Sequence, residues 1–397
     1  MNILFFADFV FEDQPGGSRV VARALAMGLA ARGHAVTFLV RAKDGEPASD
    51  TAQNGSRIVR YGVPSGGPAA YVQAGRDACA RLLSQQTFDI AHTHFAYSAA
   101  GPFQVLPRSI PHVRSFYGPW HEEGYVEDKQ NLHGLRSYAA MQGRFLLRRR
   151  TEQQNLRRSR TVIVLSEHSR REVLDLRFPP ERIVKIPGGA DTERFVPGPK
   201  AAARAALGLP PDRPLLLSIR RLAPRMGLDN LIRAMPAVLR VSPGAHLLIG
   251  GKGPEQERLS RLIQSLGLQD CVRLLGFIPD AALAAYYQAA DLFVLPTLAL
   301  EGFGLVTTES LSCGTPVLGT PIGATPELLT PLDPRLIAPS ADPAGLADAI
   351  IAFLAEDWPR ALTPERLHAY VLDHYTWDRH TIQTEQVYHS LKLPGKA

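Results

Sequence analysis

Hydrophobic residues fall into short runs that alternate with amphipathic stretches, beginning at the N-terminus. Residues 2–7 and 35–40 are mostly apolar and predict two buried strands. Between them, residues 18–32 place Leu25 and Leu29 on one face of a predicted helix. A strand, a helix and a second strand in this order are typical of the start of a doubly wound α/β domain.

The same pattern continues and then starts again in the second half of the chain. Further strands are predicted at 88–94, 112–116, 161–165, 182–186, 215–219, 246–249, 272–277 and 292–295. Residues 187–199 are dense in Gly and Pro and predict a linker. A chain of 397 residues is also too long for one ordinary core. We therefore expect two doubly wound domains, the first ending near residue 190.

Composition narrows the class of protein. Apolar residues make up 45% of the chain and charged residues 21%, which are ordinary globular values. No apolar run reaches the roughly 18 residues of a membrane span. Residues 1–11 carry Asp8 and no leading cation, which favours a strand over a signal peptide. Three scattered cysteines predict neither a disulfide framework nor a metal site and fit a reducing cytoplasm.

The charge balance points to anionic partners. The formal net charge is +6, which favours nucleic acid, anionic lipid or anionic small substrates. No nucleic-acid-binding motif accompanies this charge, so we do not expect nucleic acid to be the partner.

The most informative stretch, 301–309, follows the predicted strand 292–295. A helix can begin at Leu305, so the backbone N–H groups of Gly304, Leu305 and Val306 would face an incoming anion at the positive end of the helix dipole. In an open α/β sheet, ligands bind outside the carboxyl ends of the strands. The stretch therefore predicts an anion-binding site.

Two carboxylates, Glu301 and Glu309, frame this predicted site. In a continuous helix they would lie about 12 Å apart, which is too far for the carboxylate pair of a glycoside hydrolase. They suit the two ends of a long ligand that has hydroxyls at each end and a diphosphate in the middle. A nucleotide sugar fits that description; the structural alternative is a loop with a solvated Glu on the helix.

The Glu-x7-Glu pair lies between Ala289-Ala290-Asp291 and Gly314-Thr315-Pro316-Val317, and this ordered pattern resembles the retaining glycosyltransferases of family GT4. The resemblance implies a GT-B fold: α/β, with two doubly wound, Rossmann-like domains facing across a cleft. It implies an acceptor-binding domain over 1–190, completed by a returning helix at 376–397, and a donor-binding domain over 191–375.

The same resemblance implies the reaction. A hexosyl group would move from a nucleotide-diphosphate sugar, UDP-linked rather than GDP-linked, to a hydroxyl of an unknown acceptor (a saccharide, a lipid-linked molecule or a small molecule). No cofactor and no metal are expected, and the chain has no Asp-x-Asp metal motif. The donor's own phosphate would take the acceptor's proton, as is proposed for the family.

Three arginines follow the predicted strand 215–219 and form a candidate phosphate clamp, because guanidinium groups bind phosphate oxygens in pairs. GT4 chains usually show Arg, four residues and then Lys-Gly. Arg221 and Gly227 match that pattern, but Met226 stands in place of the Lys. Arg225 or Arg220 could supply the missing charge.

Further residues are assigned to the donor with weaker signals. Gly16-Gly17 precedes a helix, where close approach to a ligand and simple helix entry are equally good interpretations. Lys252 lies in a turn that resembles the family's Gly-x-Gly-Pro turn, and Phe277 ends the strand where the resemblance implies that the base is held. The predicted donor-binding residues are Gly16, Gly17, Arg220, Lys252, Phe277, Gly302, Phe303, Gly304, Leu305 and Glu309.

A turn rich in aromatic and charged residues follows the predicted strand 112–116 and suggests a substrate rim. In GT4 sequences a His commonly occupies its first position and contacts the donor sugar. Here Tyr117 holds that position and His121 lies four residues on, so either could make the contact; a packing turn is the alternative. The predicted catalytic residues are Glu301, Arg221, Arg225, Tyr117 and His121.

Two other patterns allow more than one interpretation. His92-Thr93-His94 could bind a metal, but no third ligand lies nearby, so polar residues at a strand tip are favoured.

Residues 141–160 are rich in Arg and predict a helix. We expect Phe145, Leu146, Leu147 and Leu156 to face the core, which leaves a solvated basic surface. A contact with anionic lipid is the alternative, and would make a cytoplasmic protein peripheral to the inner membrane face.

Other functions keep part of the same site. A nucleotide-sugar epimerase or hydrolase on this scaffold would retain the diphosphate clamp and add its own acid and base. A non-catalytic nucleotide-sugar-binding protein is suggested by Met226 alone. Product analysis separates the first two from a transferase, and a nucleotide-binding protein would release no nucleoside diphosphate with any acceptor.

Overall fold

The computed structural model describes residues 1–12, 16–63, 67–129, 134–355 and 362–392. It divides the chain into two compact units, Met1–Gly188 with Trp377–Ala397, and Gly189–Thr376. The predicted glycine loop at 13–18 falls partly outside these residues, as do the last five residues of the predicted returning helix. No helix of the described segments is both long and apolar enough to cross a bilayer.

An eight-stranded sheet forms the centre of the first unit, in the order β3-β4-β2-β1-β5-β6-β7-β8. Every neighbouring pair is parallel except β3 and β4. The strands are β1 Asn2–Phe6, β2 Ala35–Arg41, β3 Ser49–Gln53, β4 Ser56–Tyr61, β5 Ile90–Thr93, β6 His112–Phe116, β7 Thr161–Val164 and β8 Ile183–Lys185. The helices are α1 Gly17–Ala31, α2 Gly67–Gln85, α3 Trp120–Lys129, α4 Gly134–Arg158, α5 Glu167–Asp175 and α14 Trp377–Lys392.

Helices cover both faces of this sheet, which is why its central strands are continuous apolar runs. In β1, Ile3 and Phe5 join a cluster with residues of α1 and α14, while Leu4 and Phe6 join a second cluster with residues of α2. Side chains on the two faces of β1 therefore contribute to two separate hydrophobic cores.

A five-stranded parallel sheet forms the second unit, in the order β11-β10-β9-β12-β13. Its strands are β9 Leu215–Ile219, β10 His246–Gly250, β11 Val272–Gly276, β12 Leu292–Leu295 and β13 Val317–Gly319. Its helices are α6 Lys200–Ala206, α7 Leu228–Val241, α8 Gln256–Ser265, α9 Leu283–Ala289, α10 Leu305–Ser312, α11 Thr325–Leu329, α12 Pro343–Ala355 and α13 Pro364–His374. The two doubly wound sheets confirm the predicted fold class.

One detail of the sequence prediction is wrong. Leu146 and Leu147 do not face the core: 63% and 57% of their surfaces are exposed. Helix α4 instead turns Met141, Glu152 and Leu156 inward, each at most 3% exposed. Glu152 can occupy the inner face because its carboxylate is hydrogen-bonded there.

Buried histidines form a hydrogen-bonded network between the first sheet and α14. His92 bonds to Tyr388 Oη at 2.5 Å and to Ser115 Oγ at 2.8 Å, and the ring of His94 stacks on that of His92 with centroids 4.3 Å apart. The rings of His92 and His94 thus make their contacts within the buried part of the first unit. Within the described ranges, no three His, Cys, Asp or Glu side chains are placed to hold a metal ion.

Burial keeps these imidazoles uncharged. It lowers the pKa of His92 and His112 well below 6.5, that of His94 to about 3 and that of His380 to about 4. An unfolded chain binds protons at these rings below a pH of about 6.5, whereas the folded protein does not. Folding stability contributed by the histidines is therefore present above that pH and is lost as the pH falls.

We expect the free energy of unfolding to fall between pH 6.5 and 4.5, by up to about 1.4 kcal/mol per pH unit for each such histidine. His94→Gln should flatten this slope relative to the unchanged protein. His389→Gln, at a ring that is 60% exposed, is the control and should leave the slope unchanged. Urea unfolding at several pH values measures the slopes. Equal slopes for His94→Gln and the unchanged protein would contradict this account.

Candidate functional site

Loops at the carboxyl ends of β9, β12 and β13 meet in the second unit, and two glycines permit the approach. A Cβ on Gly227 would lie 1.8 Å from the carbonyl oxygen of Pro296, and one on Gly323 would lie 2.2 Å from that of Glu301. Both glycines also have positive φ, at 69° and 64°. The loops therefore bring the segment after β9 and the segment after β13 against the 296–304 loop.

Glu301 is fixed in this loop as a buried carboxylate. Its Oε2 accepts a hydrogen bond from Arg220 Nη2 at 2.5 Å and another from Thr297 Oγ1 at 2.8 Å. Burial raises the pKa of the Glu301 carboxyl, but the charge and hydrogen bond of Arg220 outweigh it and hold the pKa below its ordinary value. Oε1 makes no hydrogen bond to any described residue, so it can accept one from a ligand.

Helix α10 begins directly after this loop, with its first N–H groups uncapped. Gly304 is the N-cap residue, in the left-handed region at φ 89°, and it offers no side-chain cap. The nearest bond at this end runs from Thr307 N to the Gly304 carbonyl at 2.9 Å. Within the described residues, the N–H groups of Leu305 and Val306 thus form the positive end of a helix dipole that no N-cap side chain covers.

Arg225 brings a second guanidinium to the same loop. Its Nη1 donates to the Leu300 carbonyl at 2.9 Å, and its charge helps to lower the pKa of Glu301. Arg220 and Arg225 therefore lie around one carboxylate, beside the N-terminus of α10. Guanidinium groups in this place are of the kind that binds phosphate oxygens.

The residues in the segment after β9 differ in their surroundings. Arg221 has an exposed side chain, whereas Arg220 is the arginine that binds Glu301. Met226 is only 7% exposed, in a short 3₁₀ helix, Pro224–Met226. The residue that replaces the family's Lys thus packs inside. Sequence reasoning missed the Arg220–Glu301–Thr297 contacts, because no spacing along the chain signals them.

Lys252 and Phe277 come together at the ends of β10 and β11. The Lys252 ammonium lies 5.6 Å from the centre of the Phe277 ring, and 55% of the Phe277 side chain is exposed. The Gly251 N–H donates to the Gly276 carbonyl at 2.7 Å and joins the two turns. The Lys252 ammonium and the exposed Phe277 ring therefore lie next to each other.

Glu309 lies partly buried on α10 and faces α9. Its Oε2 accepts a hydrogen bond from Tyr287 Oη at 2.8 Å. Burial raises the pKa of the Glu309 carboxyl to about 7, against the opposing effect of that hydrogen bond. The two carboxylates of the Glu-x7-Glu pair therefore differ: Glu301 is held ionised, whereas Glu309 is about half protonated near pH 7.

The remaining predicted residues belong to the first unit. Gly17 begins α1, and the Gly16 carbonyl accepts from Arg19 N and Val20 N at 3.0 Å each. Tyr117 Oη is hydrogen-bonded to His94 Nδ1 at 2.7 Å. The predicted catalytic residues are therefore divided between the units, with Tyr117 and His121 in one and Glu301, Arg221 and Arg225 in the other.

His121 is held beneath α4 and is 4% exposed. Its Nδ1 donates to Glu152 Oε2 at 2.5 Å, and Glu152 also accepts from the backbone N–H groups of Trp120 and His121. Glu152 therefore caps the N-terminus of α3 from the neighbouring helix, a contact that the sequence does not signal.

Comparisons with known proteins identify the family of this chain. A family model described as "Glycosyl transferases group 1" matches residues 199–370, and "Glycosyltransferase Family 4" matches residues 15–194. The chain is 30% identical to a D-inositol 3-phosphate glycosyltransferase of Kineococcus radiotolerans over 78% of this chain and 73% of that protein. It thus belongs to the family 4 glycosyltransferases.

Other similarities are narrower or structural. A GDP-mannose-dependent alpha-(1-6)-phosphatidylinositol monomannoside mannosyltransferase of Mycolicibacterium smegmatis is 33% identical over 54% of this chain and 58% of its own length. The chain spans about half the length of several of the curated relatives it matches. A sucrose-phosphate synthase of Thermosynechococcus elongatus superposes with a TM-score of 0.80, at 26% identity and 98% coverage of both chains. Its GT-B fold is the fold of this chain.

The raised pKa of Glu309 predicts a stability effect. A carboxyl whose folded pKa exceeds its unfolded value destabilises the protein as the pH rises through that interval, here from about 4.5 to about 7. Glu309→Gln removes the charge but keeps an acceptor for Tyr287. Without ligand, this variant should be more stable than the unchanged protein at pH 8, by up to about 3 kcal/mol, and much less so at pH 5.

Urea unfolding at the two pH values measures the difference. Glu46→Gln, at an exposed glutamate, is the matched control and should show no comparable gain at pH 8. A destabilising effect of Glu309→Gln that is equal at both pH values would contradict the raised pKa of Glu309.

Proposed function

We propose that this protein is a retaining, metal-independent glycosyltransferase that moves a hexosyl group from a nucleotide-diphosphate sugar to an acceptor hydroxyl. The observation that carries the proposal is the arrangement at the N-terminus of α10, where the guanidinium groups of Arg220 and Arg225 lie beside the Glu301 carboxylate. In this reaction negative charge grows on the leaving diphosphate as the glycosidic bond breaks. Preorganised cations and backbone amides stabilise such a charge in the transition state.

Each residue has a defined role in this proposal. Arg221 and Arg225 bind the diphosphate, and the N–H groups of Leu305 and Val306 bind its remaining oxygens. Glu301 Oε1 accepts hydrogen bonds from hydroxyls of the donor sugar and orients its ring, while Arg220 fixes Glu301. Because guanidinium groups neutralise the leaving group, no metal ion is required for the reaction.

The nucleoside lies at the ends of this site. Glu309 holds the ribose hydroxyls, and the exposed ring of Phe277 lies where the base is held, with Lys252 beside a phosphate. UDP is the first candidate from the sequence, and the name of the mannosyltransferase relative supports GDP as the second. The second unit is therefore the donor domain.

The first unit would take the acceptor, with Tyr117 and His121 on its side of the reaction. The names of two relatives support an inositol phosphate or a phosphatidylinositol mannoside as the acceptor class. The free cysteines Cys79, Cys271 and Cys313 support a reducing, cytoplasmic location.

A thermal-shift panel of UDP, GDP, ADP and their sugars tests the function. One nucleotide should raise Tm strongly, since a ligand that binds the folded state alone stabilises it. With that donor and an inositol or sugar acceptor, the product should keep the anomeric configuration of the donor, as read by NMR. No Tm shift with any nucleotide would remove the proposal, and release of free sugar without transfer would identify a hydrolase.

The charges of the clamp give a separate prediction. Arg221→Ala and Arg225→Ala should each weaken nucleotide binding by about 30-fold or more, because each removes a charge-assisted bond to phosphate. Met226→Lys should preserve or strengthen it. Arg233→Ala, at an exposed arginine of α7, is the control. Isothermal titration calorimetry measures the affinities, and unchanged binding by Arg221→Ala and Arg225→Ala would disprove the clamp.

A further inference from the structure

Leu300, the residue directly before Glu301, has a backbone conformation that leucine rarely adopts. Its φ is 59°, in the left-handed region where the Cβ atom crowds the following carbonyl oxygen. Glycine enters this region readily and asparagine or aspartate occasionally, whereas a bulky residue is strained there. Such a residue persists only where the surrounding structure determines its backbone, and such places are common at functional sites.

Two other described residues that are not glycine have a positive φ, and both have an ordinary explanation. Asn54 lies in the turn between β3 and β4, a position that suits asparagine. Arg177 follows the C-terminus of α5, where helices commonly end with a left-handed residue. Leu300 lies neither in a hairpin turn nor at the C-terminus of a helix, because its loop joins β12 to α10. Its conformation therefore has another cause.

Arg225 binds the backbone around Leu300 from the neighbouring loop. Its Nη1 donates to the Leu300 carbonyl at 2.9 Å, and its own carbonyl accepts from the Leu298 N–H at 2.9 Å. The side chain and the backbone of one arginine thus bind two residues of the 296–304 loop. A charge-assisted hydrogen bond of this kind is strong enough to offset the strain of one left-handed residue.

The direction of Glu301 follows from the conformation of Leu300. The φ and ψ of Leu300 orient the planar peptide that joins it to Glu301. A leucine in the helical or extended region would rotate that peptide, turn the Leu300 carbonyl away from Arg225 and point Glu301 elsewhere. On the far side, the Glu301 carbonyl accepts from the Ala324 N–H at 2.9 Å. Backbone contacts on both sides therefore fix where the carboxylate points.

We propose that Leu300 and Arg225 are positioning residues that aim the Glu301 carboxylate. The left-handed Leu300 sets the direction of the carboxylate, and the hydrogen bond from Arg225 keeps Leu300 in that conformation. The requirement at position 300 is for a backbone conformation and not for an apolar side chain. The consequence for a ligand rests on the proposed function: a nucleotide sugar needs the aimed carboxylate, whereas a nucleoside diphosphate does not.

Replacements of Leu300 separate the backbone from the side chain. Leu300→Asn keeps access to the left-handed region but loses the apolar side chain, whereas Leu300→Val stays apolar and is branched at Cβ. Leu300→Asn should therefore fold at least as stably as the unchanged protein. Leu300→Val should raise the equilibrium constant of unfolding about tenfold, as measured in urea.

Two pairs of matched controls accompany these variants. Arg177→Asn and Arg177→Val repeat the replacements at an exposed left-handed residue of the first unit, and Arg177→Val should again be the less stable variant. Leu298→Asn and Leu298→Val repeat them at an exposed leucine of the same loop whose φ is not positive. Leu298→Val should leave the equilibrium constant of unfolding within about twofold of the unchanged protein.

A double-mutant cycle measures the effect of Leu300 on Glu301 without any ligand. Glu301→Gln weakens the bond to Arg220 and should raise the equilibrium constant of unfolding. In the Leu300→Val background the same change should have a smaller effect, because Glu301 is no longer aligned with Arg220. Additive effects of the two changes would overturn the proposal.

A second cycle measures the hold of Arg225 on Leu300. Arg225→Gln should raise the equilibrium constant of unfolding less in the Leu300→Asn background than in the unchanged protein, because asparagine needs less support in the left-handed region. Equal effects in the two backgrounds would show that Arg225 does not hold Leu300 in place.

Nucleotide binding gives a result that a merely structural role would not produce. Calorimetry compares UDP with UDP-glucose and GDP with GDP-mannose. For the pair that binds, Leu300→Val should weaken binding of the nucleotide sugar about tenfold and that of the nucleoside diphosphate less than about twofold. Leu300→Asn should bind both as the unchanged protein does. Equal weakening of both ligands by Leu300→Val would assign Leu300 to the fold alone and overturn the proposal.

The unfolding measurements need no nucleotide, so they separate the positioning role from the donor function. If neither pair of nucleotides binds the unchanged protein, the donor function is removed, and the two cycles decide the role of Leu300 and Arg225. A loss of stability in Leu300→Asn that equals the loss in Leu300→Val would overturn the proposal whatever binds, since it would show that the side chain is what the site requires.

Discussion

The ion pair between Arg220 and Glu301 is the interaction on which the second unit's site depends. Removing two opposite charges from water is costly, and the cost is offset only when geometry is close and the remaining polar atoms are satisfied. Here one guanidinium and one threonine hydroxyl converge on a single carboxylate oxygen. The other oxygen keeps its negative character and its direction, so a hydrogen-bond acceptor is in place before any ligand binds.

Close backbone contacts between the surrounding loops help to hold Glu301 in position. Gly323 lets the segment after β13 touch the backbone of Glu301, and Gly227 lets the segment after β9 touch Pro296. Any side chain at either position would force the loops apart. Glu301 is thus held by backbone contacts as well as by the ion pair, whereas Arg221, which we propose to bind phosphate, is exposed on its loop.

Much of the architecture could be predicted from the sequence, because parallel strands buried on both faces are short apolar runs. The strands at 112–116, 215–219 and 292–295 have the predicted ends. The site loop was also predictable, since glycines, glutamates and the helix start lie within nine residues. Contacts between residues that are distant in the sequence could not be predicted. The binding of Arg220 to Glu301 joins residues that are 81 positions apart, and no local pattern reveals it.

Helix α4 shows a different limit of sequence reasoning. Hydrophobicity assigns leucines to the inside, but the inner face of α4 includes Glu152 and Asn155, each 2% exposed. The N–H groups at the start of α3 satisfy the Glu152 carboxylate. The partner of this buried carboxylate lies on another helix, so the sequence of α4 alone does not reveal why Glu152 is inside.

The return of α14 to the first sheet has a consequence for how the chain folds during translation. Tyr388 of α14 lies fully buried among residues of β1, β2 and α1, and it hydrogen-bonds to His92. Glu385 binds Arg32 and His34, and Lys392 binds Asp89. On the ribosome, the second unit emerges as one continuous segment and can fold first. The strands of the first unit are made earlier, but we expect its core to be completed only after α14 has emerged behind the second unit.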